Sequence, residues 1–219
     1  MPIPFMIFVG TIIFVLWLTY ELKKSHRNSN TTQTNFWERE SAANLTRKVS
    51  PDTLPYIHIP IETFPIGKHE DSALSEYEAV LLSLSEKKIL NLTGKTTTEL
   101  KAAYGPANLA LLDECDINYT ELVKTIAAYG SRLHELGFDD ECIMVLEFGI
   151  AILTDISLNY KLLAELYMQR NENGKILHLK ECAAGLDSLM KNNILKTLEE
   201  ISPCHTSTES GQSSETLRS

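Results

Sequence analysis

Acidic side chains stand beside two of the four cysteines, and a metal site or an acid–base pair would need groups of this kind close together. The two clusters are Asp113, Glu114 and Asp116 around Cys115, and Asp139, Asp140 and Glu141 before Cys142. No third partner can be identified for either cluster. The alternative is structural, because an aspartate can cap a helix and neighbouring acids interact favourably with the helix dipole. We expect Asp139 or Asp140 to be the N-cap of a helix.

The six histidines are scattered, and none of them forms an HExxH motif or another ligand pair at helical spacing. They are His26, His58, His69, His134, His178 and His205. Gly94 begins a Gly-Lys-Thr triplet, but a phosphate loop also needs a glycine five residues earlier, where this chain has Ile89. The cysteines lack CxxC spacing, so free thiols in a reducing compartment are expected. These patterns predict no catalytic residue, no cofactor and no metal site, and we expect that the chain is not an enzyme.

Residues 3–20 carry no charged side chain and are followed at once by a basic cluster. A helix of roughly 18–20 apolar residues is long enough to cross the bilayer core, so the segment predicts an uncleaved transmembrane anchor within residues 1–20 that contacts membrane lipid. Lys23, Lys24 and Arg27 follow it, and no Lys or Arg precedes it. The positive-inside rule then places the N-terminus outside the cell membrane and the C-terminal domain in the cytoplasm. The alternative is a buried helix of a globular core.

The rest of the chain is acidic overall, and two of its segments contain few large apolar side chains. The formal net charge is −9 over 219 residues, which disfavours nucleic-acid binding because affinity for phosphate depends on Lys and Arg. Residues 21–35 and 202–219 are polar and contain few large apolar side chains. A flexible juxtamembrane linker and a disordered tail are therefore predicted there, with the folded part between them.

Residues 36–71 are predicted to form a short helix followed by an extended segment at 54–67. In that segment Ile57, Ile59 and Ile61 alternate with His58, Pro60 and Glu62, and prolines recur every five residues. Alternation favours an extended chain, while the prolines argue against a central strand. The isoleucines give the segment one apolar edge, which we expect to pack against the helices, either permanently or as a displaceable plug that blocks a binding site.

Residues 72–201 show helical spacing of their apolar side chains and no comparable strand pattern. Ser72 or Ser75 is the expected N-cap of the first helix. Further helices are predicted at 97–104, 106–115, 119–136, 139–154, 157–171, 174–189 and 191–201. The predicted fold class is all-α, with one N-terminal transmembrane helix, an extended proline-spaced segment and an α-helical domain.

A pattern of small and large residues occurs twice in this domain, at a constant offset along the chain. The residues expected to pack at helix crossings are Gly130, Cys142, Gly149, Ala164 and Tyr167. The pattern resembles the tetratricopeptide repeat, in which about 34 residues form two antiparallel helices with small side chains where they cross. The resemblance covers residues 123–190 and weakens in the second unit, where Gly174 comes late for the turn. A generic helical bundle is the alternative.

The tetratricopeptide resemblance implies that a protein or peptide partner contacts the first helix of each unit. The candidate partner-binding residues are Lys124, Ser131, His134, Lys161 and Glu165. The expected function is that of a membrane-tethered scaffold or adaptor, which binds a protein partner in a helical-repeat groove. The alternative is an enzyme or a small-ligand-binding protein with an inter-helix pocket, because such a pocket needs no local motif.

Three stretches also resemble uncharacterised, singly membrane-anchored proteins of anaerobic Gram-positive bacteria. They are FWERESAANLTRK, LPYIHIPIETFPIG and KKILNLTGKTTTELKAAYGPANL, and the likeness covers residues 36–200. This second resemblance implies a source for the chain but no activity.

Overall fold

The structure, a computed structural model, describes residues 13–15, 17–21, 36–46 and 50–201. Within these ranges it contains helices and no strand, so the prediction of an all-α fold is confirmed. Most of the predicted linker, residues 22–35, and the whole predicted tail, residues 202–219, lie outside the described residues.

Seven helices from Ser72 onwards form the main body of the described chain. They are α1 (Ser72–Ser85), α2 (Thr97–Tyr104), α3 (Leu109–Glu135), α4 (Asp139–Ala151), α5 (Ser157–Gln169), α6 (Asn173–Ala184) and α7 (Lys191–Ile201). Residues 13–15, 17–21 and 36–44 are also helical, and 3-10 turns occur at Pro51–Thr53 and Pro106–Asn108.

The predicted membrane anchor is described only in part, since residues 3–12 and residue 16 lie outside the described residues. Phe14 and Trp17 belong to its helical residues, and each exposes 57% of its surface. None of the helices formed by the described residues combines the length and the apolar character needed to cross a bilayer. The transmembrane segment therefore stays a prediction.

The first of two compact units contains the described residues up to Thr53 and residues 95–112. In this unit Glu40 accepts a hydrogen bond from the Thr98 hydroxyl at 2.8 Å and forms an ion pair with Lys101. The hydrogen bond from Lys101 is the main reason that the pKa of Glu40 lies below its usual value. These contacts attach the helical residues around Glu40 to α2.

Among the described residues, the second compact unit contains 54–94 and 113–201. Within it α5 packs against α4, α6 and α7, and α6 also packs against α7. Its largest fully buried side chains include Leu74 and Leu81 of α1, Leu122, Ile126 and Tyr129 of α3, Leu146 of α4, and Tyr160 and Leu163 of α5. Each helix thus buries one apolar face in a common core, as the helical spacing of its apolar residues predicts.

The extended segment before α1 packs against this core along its apolar edge. Ile59 and Phe64 are buried, and the Phe64 ring meets the Phe148 ring of α4 edge-on, with 5.5 Å between their centroids. The backbone N–H of Ile57 donates to the carbonyl oxygen of Ile89 at 2.9 Å. The edge thus lies against the helices, and its removal would expose apolar surface to water.

Helix α1 is capped by Asp71, so the expectation that Ser72 or Ser75 is the N-cap is wrong. The Asp71 carboxylate accepts hydrogen bonds from two backbone N–H groups of the first turn. It also accepts one at 2.7 Å from the Arg132 guanidinium of α3, which is the main reason that the pKa of Asp71 falls from 3.8 to about 2. A charged acceptor can serve the helix end and the arginine together, which a serine hydroxyl cannot do as well.

A buried carboxylate joins α1 to α3 and to the extended segment. Glu78 of α1 is only 7% exposed, and its Oε1 accepts a hydrogen bond from the Tyr129 hydroxyl at 3.0 Å. Its Oε2 accepts a second bond from the backbone N–H of Gly67 at 3.0 Å. Burial raises the pKa of Tyr129, so this hydroxyl stays protonated and remains a donor. The polar group is satisfied, as a buried one must be.

The helices predicted at 106–115 and 119–136 are in fact one helix, α3, preceded by a 3-10 turn. No glycine or proline lies between Cys115 and Tyr119, so nothing in the backbone interrupts it. Asn118, a residue that often ends helices, instead donates its side-chain N–H to the carbonyl oxygen of Lys88 at 3.1 Å. Because the Asn118 side chain is bonded to Lys88, it does not compete for the backbone hydrogen bonds of α3.

Two helices end before their predicted last residues, at 154 and 171, because the chain turns into a left-handed conformation. Helix α4 ends at Ala151, and Leu153 then has a φ of 64°. Helix α5 ends at Gln169, and Asn171 then has a φ of 58°. Helix α6 also ends early, at Ala184 rather than at 189, and the next residue is Gly185.

Candidate functional site

The helices of the second unit recur at a fixed spacing. Helix α4 begins at Asp139 and α6 begins at Asn173, and this separation equals the length of about 34 residues that is typical of a tetratricopeptide unit. The helices that precede them, α3 and α5, end at Glu135 and Gln169, which are separated by the same interval. The turn between α5 and α6 therefore has the same length as the turn between α3 and α4, and Gly174 belongs to a helix rather than to the turn.

The five residues expected at helix crossings are all buried or nearly so, and Gly130 occupies the tightest position among them. A Cβ atom on Gly130 would lie 2.5 Å from Cδ2 of Leu146, so a side chain at this position would force Leu146 of α4 to shift. A Cβ atom on Gly149 would lie 3.0 Å from Nδ2 of Asn159 and 3.1 Å from Ile126. Cys142, Ala164 and Tyr167 lie in the core itself.

Two of the five predicted partner-binding residues contact each other. Lys161 and Glu165 form an ion pair at 3.8 Å on α5. Ser131 donates to the carbonyl oxygen of Ala127 in its own helix at 2.8 Å, and His134 Nδ1 lies 2.6 Å from Asp139 Oδ1. Lys124 is exposed on α3. The partner-binding role of these residues stays a prediction.

A groove of about 280 Å³ lies instead between α4, α5 and α6. Its lining residues are Glu147, Ile150 and Ala151 of α4, Leu163 and Tyr167 of α5, and Lys175, His178, Leu179 and Cys182 of α6. Aliphatic side chains form much of the wall, and polar groups are also present in the lining. Of the residues singled out from the sequence as packing or partner-binding positions, only Tyr167 lines this groove.

Three of these polar groups, Glu147, Tyr167 and Lys175, form a network with Glu172 beside the groove. The Tyr167 hydroxyl donates to Glu147 Oε1 at 2.7 Å, and Lys175 Nζ lies 3.3 Å from the same oxygen. Lys175 also forms an ion pair with Glu172 at 2.9 Å and lies over the Tyr167 ring. Burial raises the pKa of Tyr167, and the hydrogen bond with Glu172 raises the pKa of Lys175. The tyrosine therefore stays a donor, the lysine stays charged, and the network fixes the Glu147 side chain.

One histidine contacts a cysteine at helical spacing, while the expectation that no histidine forms a ligand pair stays a prediction. His178 and Cys182 lie one helical turn apart on α6, and Nε2 and Sγ are 3.6 Å from each other. Their spacing of four residues is visible in the sequence and could have shown this contact. Burial raises the pKa of the Cys182 thiol, so at neutral pH it is protonated and is not an activated nucleophile.

The acidic residues before Cys142 each contact different basic residues, so they form no common site. The pairs are Asp139 with His134, Asp140 with Arg170, and Glu141 with both His69 and Lys68. The N-cap of α4 is Phe138, which makes no side-chain capping bond, so neither aspartate is the N-cap that we expected. Burial raises the pKa of Cys142 to about 12, and burial raises the pKa of Cys115 as well.

The groove lining combines apolar and polar side chains. No three His, Cys, Asp or Glu side chains in the described part of the chain are placed to hold a metal ion together. The groove offers aliphatic wall, a fixed carboxylate at Glu147 and a half-buried thiol at Cys182. In comparisons with known proteins, no family, no curated sequence and no solved structure matches this chain.

Proposed function

We propose that this protein is a membrane-tethered scaffold that binds a segment of a partner protein in the groove between α4, α5 and α6. The groove itself is the observation that carries the proposal. The equal spacing of the successive helix pairs supports a tetratricopeptide-like array, and arrays of this kind commonly bind peptides.

The groove has room for one large side chain of a partner. Its volume of about 280 Å³ lies at the lower end of the range of about 300–1,000 Å³ that is usual for small-molecule sites. Ile150, Leu163 and Leu179 line the groove with apolar side chains. A leucine, methionine or phenylalanine side chain of the partner would bury its own apolar surface against them, which is the main source of affinity at such sites.

The charge around the groove favours basic residues on either side of the partner's apolar side chain. The whole chain has a formal net charge of −9. Near the groove, Lys175 is already paired with Glu147 and Glu172, while Glu181 is exposed on α6 and lies 3.7 Å from His178 Nδ1. A partner segment with Lys or Arg beside its apolar anchor would therefore be attracted, and an acidic segment would be repelled.

The tether concentrates this site at a membrane. We infer it from the uncharged residues 3–20 and from the basic cluster Lys23, Lys24 and Arg27, which together favour a single-pass anchor with the N-terminus outside and the C-terminal domain in the cytoplasm. Tethering raises the effective concentration of a site toward partners at the same surface. A moderate affinity in the groove would then be sufficient.

Cys182 allows a direct test of the groove. The test uses the full chain in detergent micelles, with Cys204→Ser so that Cys182 is the reactive thiol, since Cys115 and Cys142 are buried. Peptides selected from a random phage-displayed library should carry an apolar residue flanked by Lys or Arg. They should slow the reaction of Cys182 with N-ethylmaleimide, which is measured above neutral pH because the thiol pKa is raised.

The matched control is the Cys182→Ala/Cys204→Ser variant. Treatment with N-ethylmaleimide should abolish peptide binding in the protein that retains Cys182, because the adduct fills the groove, and should leave binding by the control variant unchanged. Selected peptides that leave the Cys182 reaction rate unchanged would show that they bind elsewhere. A selection that yields no binding peptide would count against the scaffold itself.

The tether has a separate test. The full chain should remain in the membrane pellet after an alkaline carbonate wash, and a membrane-impermeant thiol reagent should label Cys182 only after the cells are opened. Release of the chain by the wash would overturn the anchor, and labelling of intact cells would reverse its orientation.

A further inference from the structure

A second and larger cavity lies in the same compact unit, where α4 and α6 end. Its volume is about 450 Å³, within the range of about 300–1,000 Å³ that is usual for small-molecule sites. Its apolar wall is formed mainly by Pro55, Ile57, Leu90, Ile152 and Leu186. The cavity therefore has room for a small molecule with an apolar body.

The charges around this cavity are negative. Asp187 is the single charged side chain among its described lining residues, and it forms no ion pair with any Lys or Arg that the structure describes. Asp155 stands behind the lining and accepts a hydrogen bond from Ser188 at 2.6 Å. Helices α4 and α6 also present their C-terminal ends here, at Ala151 and Gly185, and helix C-termini carry partial negative charge. The combined field favours a cation and opposes an anion.

The polar part of the wall is held in place by a hydrogen-bond network. The Asn91 side chain donates to the Tyr119 hydroxyl at 2.9 Å and to the Ile152 carbonyl oxygen at 3.2 Å. The Tyr119 hydroxyl in turn lies 3.0 Å from the Leu153 carbonyl oxygen, and burial raises its pKa, so it remains a donor. Leu153 adopts a left-handed conformation that is unfavourable for a side chain of this kind, and the network offsets that cost. The wall is therefore formed before any ligand arrives.

The loop that contains Gly94 approaches Asp187 closely. A Cβ atom on Gly94 would lie 2.5 Å from Oδ2 of Asp187, and the φ of Gly94 is 82°. Glycine is thus required at this position, because a Cβ atom would clash with Asp187 and because a positive φ is unfavourable for a residue with a side chain. The glycine brings the loop and the carboxylate together at one side of the cavity.

We propose that this cavity binds a small organic cation, with an ammonium group against Asp187 and an apolar body against Ile57, Ile152 and Leu186. This activity is distinct from the peptide binding proposed for the groove, which shares only Ala151 with the lining of the cavity. The two can therefore fail independently.

Phenethylammonium and 3-phenylpropionate provide a matched pair of probes, since they share a phenyl ring and a short alkyl chain and carry opposite charges. Each is titrated into the full chain in neutral detergent micelles by isothermal titration calorimetry. Phenethylammonium should bind saturably, and 3-phenylpropionate should bind at least about ten-fold more weakly. Asp187→Asn should weaken phenethylammonium binding by about ten-fold, the usual effect of losing one charge-assisted hydrogen bond.

Glu181→Gln is the matched control, because Glu181 is an exposed acid of α6 that does not line the cavity. It removes the same charge from the chain and should leave phenethylammonium binding unchanged. Equal weakening by the two substitutions would show a general charge effect and would overturn the proposal. Equal affinity for the two probes, or an absence of saturable binding by either, would also overturn it.

Discussion

Replacing Gly130 with alanine tests how closely α3 and α4 cross. The new Cβ atom would lie 2.5 Å from Cδ2 and 2.8 Å from Cγ of Leu146, and Leu146 is only 1% exposed, so it cannot swing into solvent. Alanine gains about 1 kcal/mol of helix propensity over glycine. Overpacking a core costs about 1–3 kcal/mol. We expect Gly130→Ala to lower the free energy of unfolding by about 1 kcal/mol, the central difference between these two terms.

Gly174→Ala is the matched control for this measurement, because Gly174 is also helical and no atom lies within 4 Å of the Cβ that it would gain. Without a clash, it should leave the unfolding free energy unchanged or raise it by up to about 1 kcal/mol. Both variants are compared with the wild type by urea unfolding, followed by far-ultraviolet circular dichroism. A Gly130→Ala protein at least as stable as the wild type would refute the close crossing of the two helices.

Three further predictions concern the contacts that hold α1 and the extended segment. Phe64→Ala should lower the unfolding free energy by about 3–5 kcal/mol in the same urea assay if the segment is permanent core, whereas a stable variant with stronger peptide binding would identify a displaceable plug. Tyr129→Phe should cost about 1–3 kcal/mol in urea unfolding, because the buried Glu78 carboxylate loses a donor, and an unchanged midpoint would contradict that hydrogen bond. The contact with Arg132 lowers the pKa of Asp71 to about 2 in the folded state. The stability that it contributes is therefore present above about pH 4 and is lost as the pH falls from 3.8 through about 2. Asp71→Asn should flatten the pH dependence of thermal unfolding in that window, and an unaltered slope would refute the assignment.

The helices of the second unit could largely be predicted from the sequence because each buries one apolar face, and the spacing of apolar residues records that face. The boundaries were less predictable. Asn118 suggests a helix end locally, yet its contact with the Lys88 carbonyl oxygen keeps α3 continuous. Asp71 precedes two serines that are equally good caps by residue type, and only the position of Arg132 in the fold makes the aspartate the better one.

The groove residues could not be predicted in the same way. The positions expected on α3 and α5, such as Lys124 and Lys161, are derived from the repeat register. The register predicts which face of a helix a residue occupies, but it does not predict which neighbouring helix covers that face. The groove arises where α4 and α6 leave space over α5, and that depends on side-chain volumes from three helices. The contact between His178 and Cys182 is different, since both belong to one helix and their spacing alone predicts it.

The packing of Phe64 against Phe148 joins positions that are far apart in the chain, and this affects how the protein folds during synthesis. A ribosome adds roughly 5–20 residues per second, so about 4–17 seconds pass between the synthesis of Phe64 and the synthesis of Phe148. Until then Ile59 and Phe64 have no complete core to enter. Contacts between distant positions also slow folding, because a long loop must close before they form. The newly made chain therefore passes through a period in which this edge is exposed to chaperones and to other nascent chains.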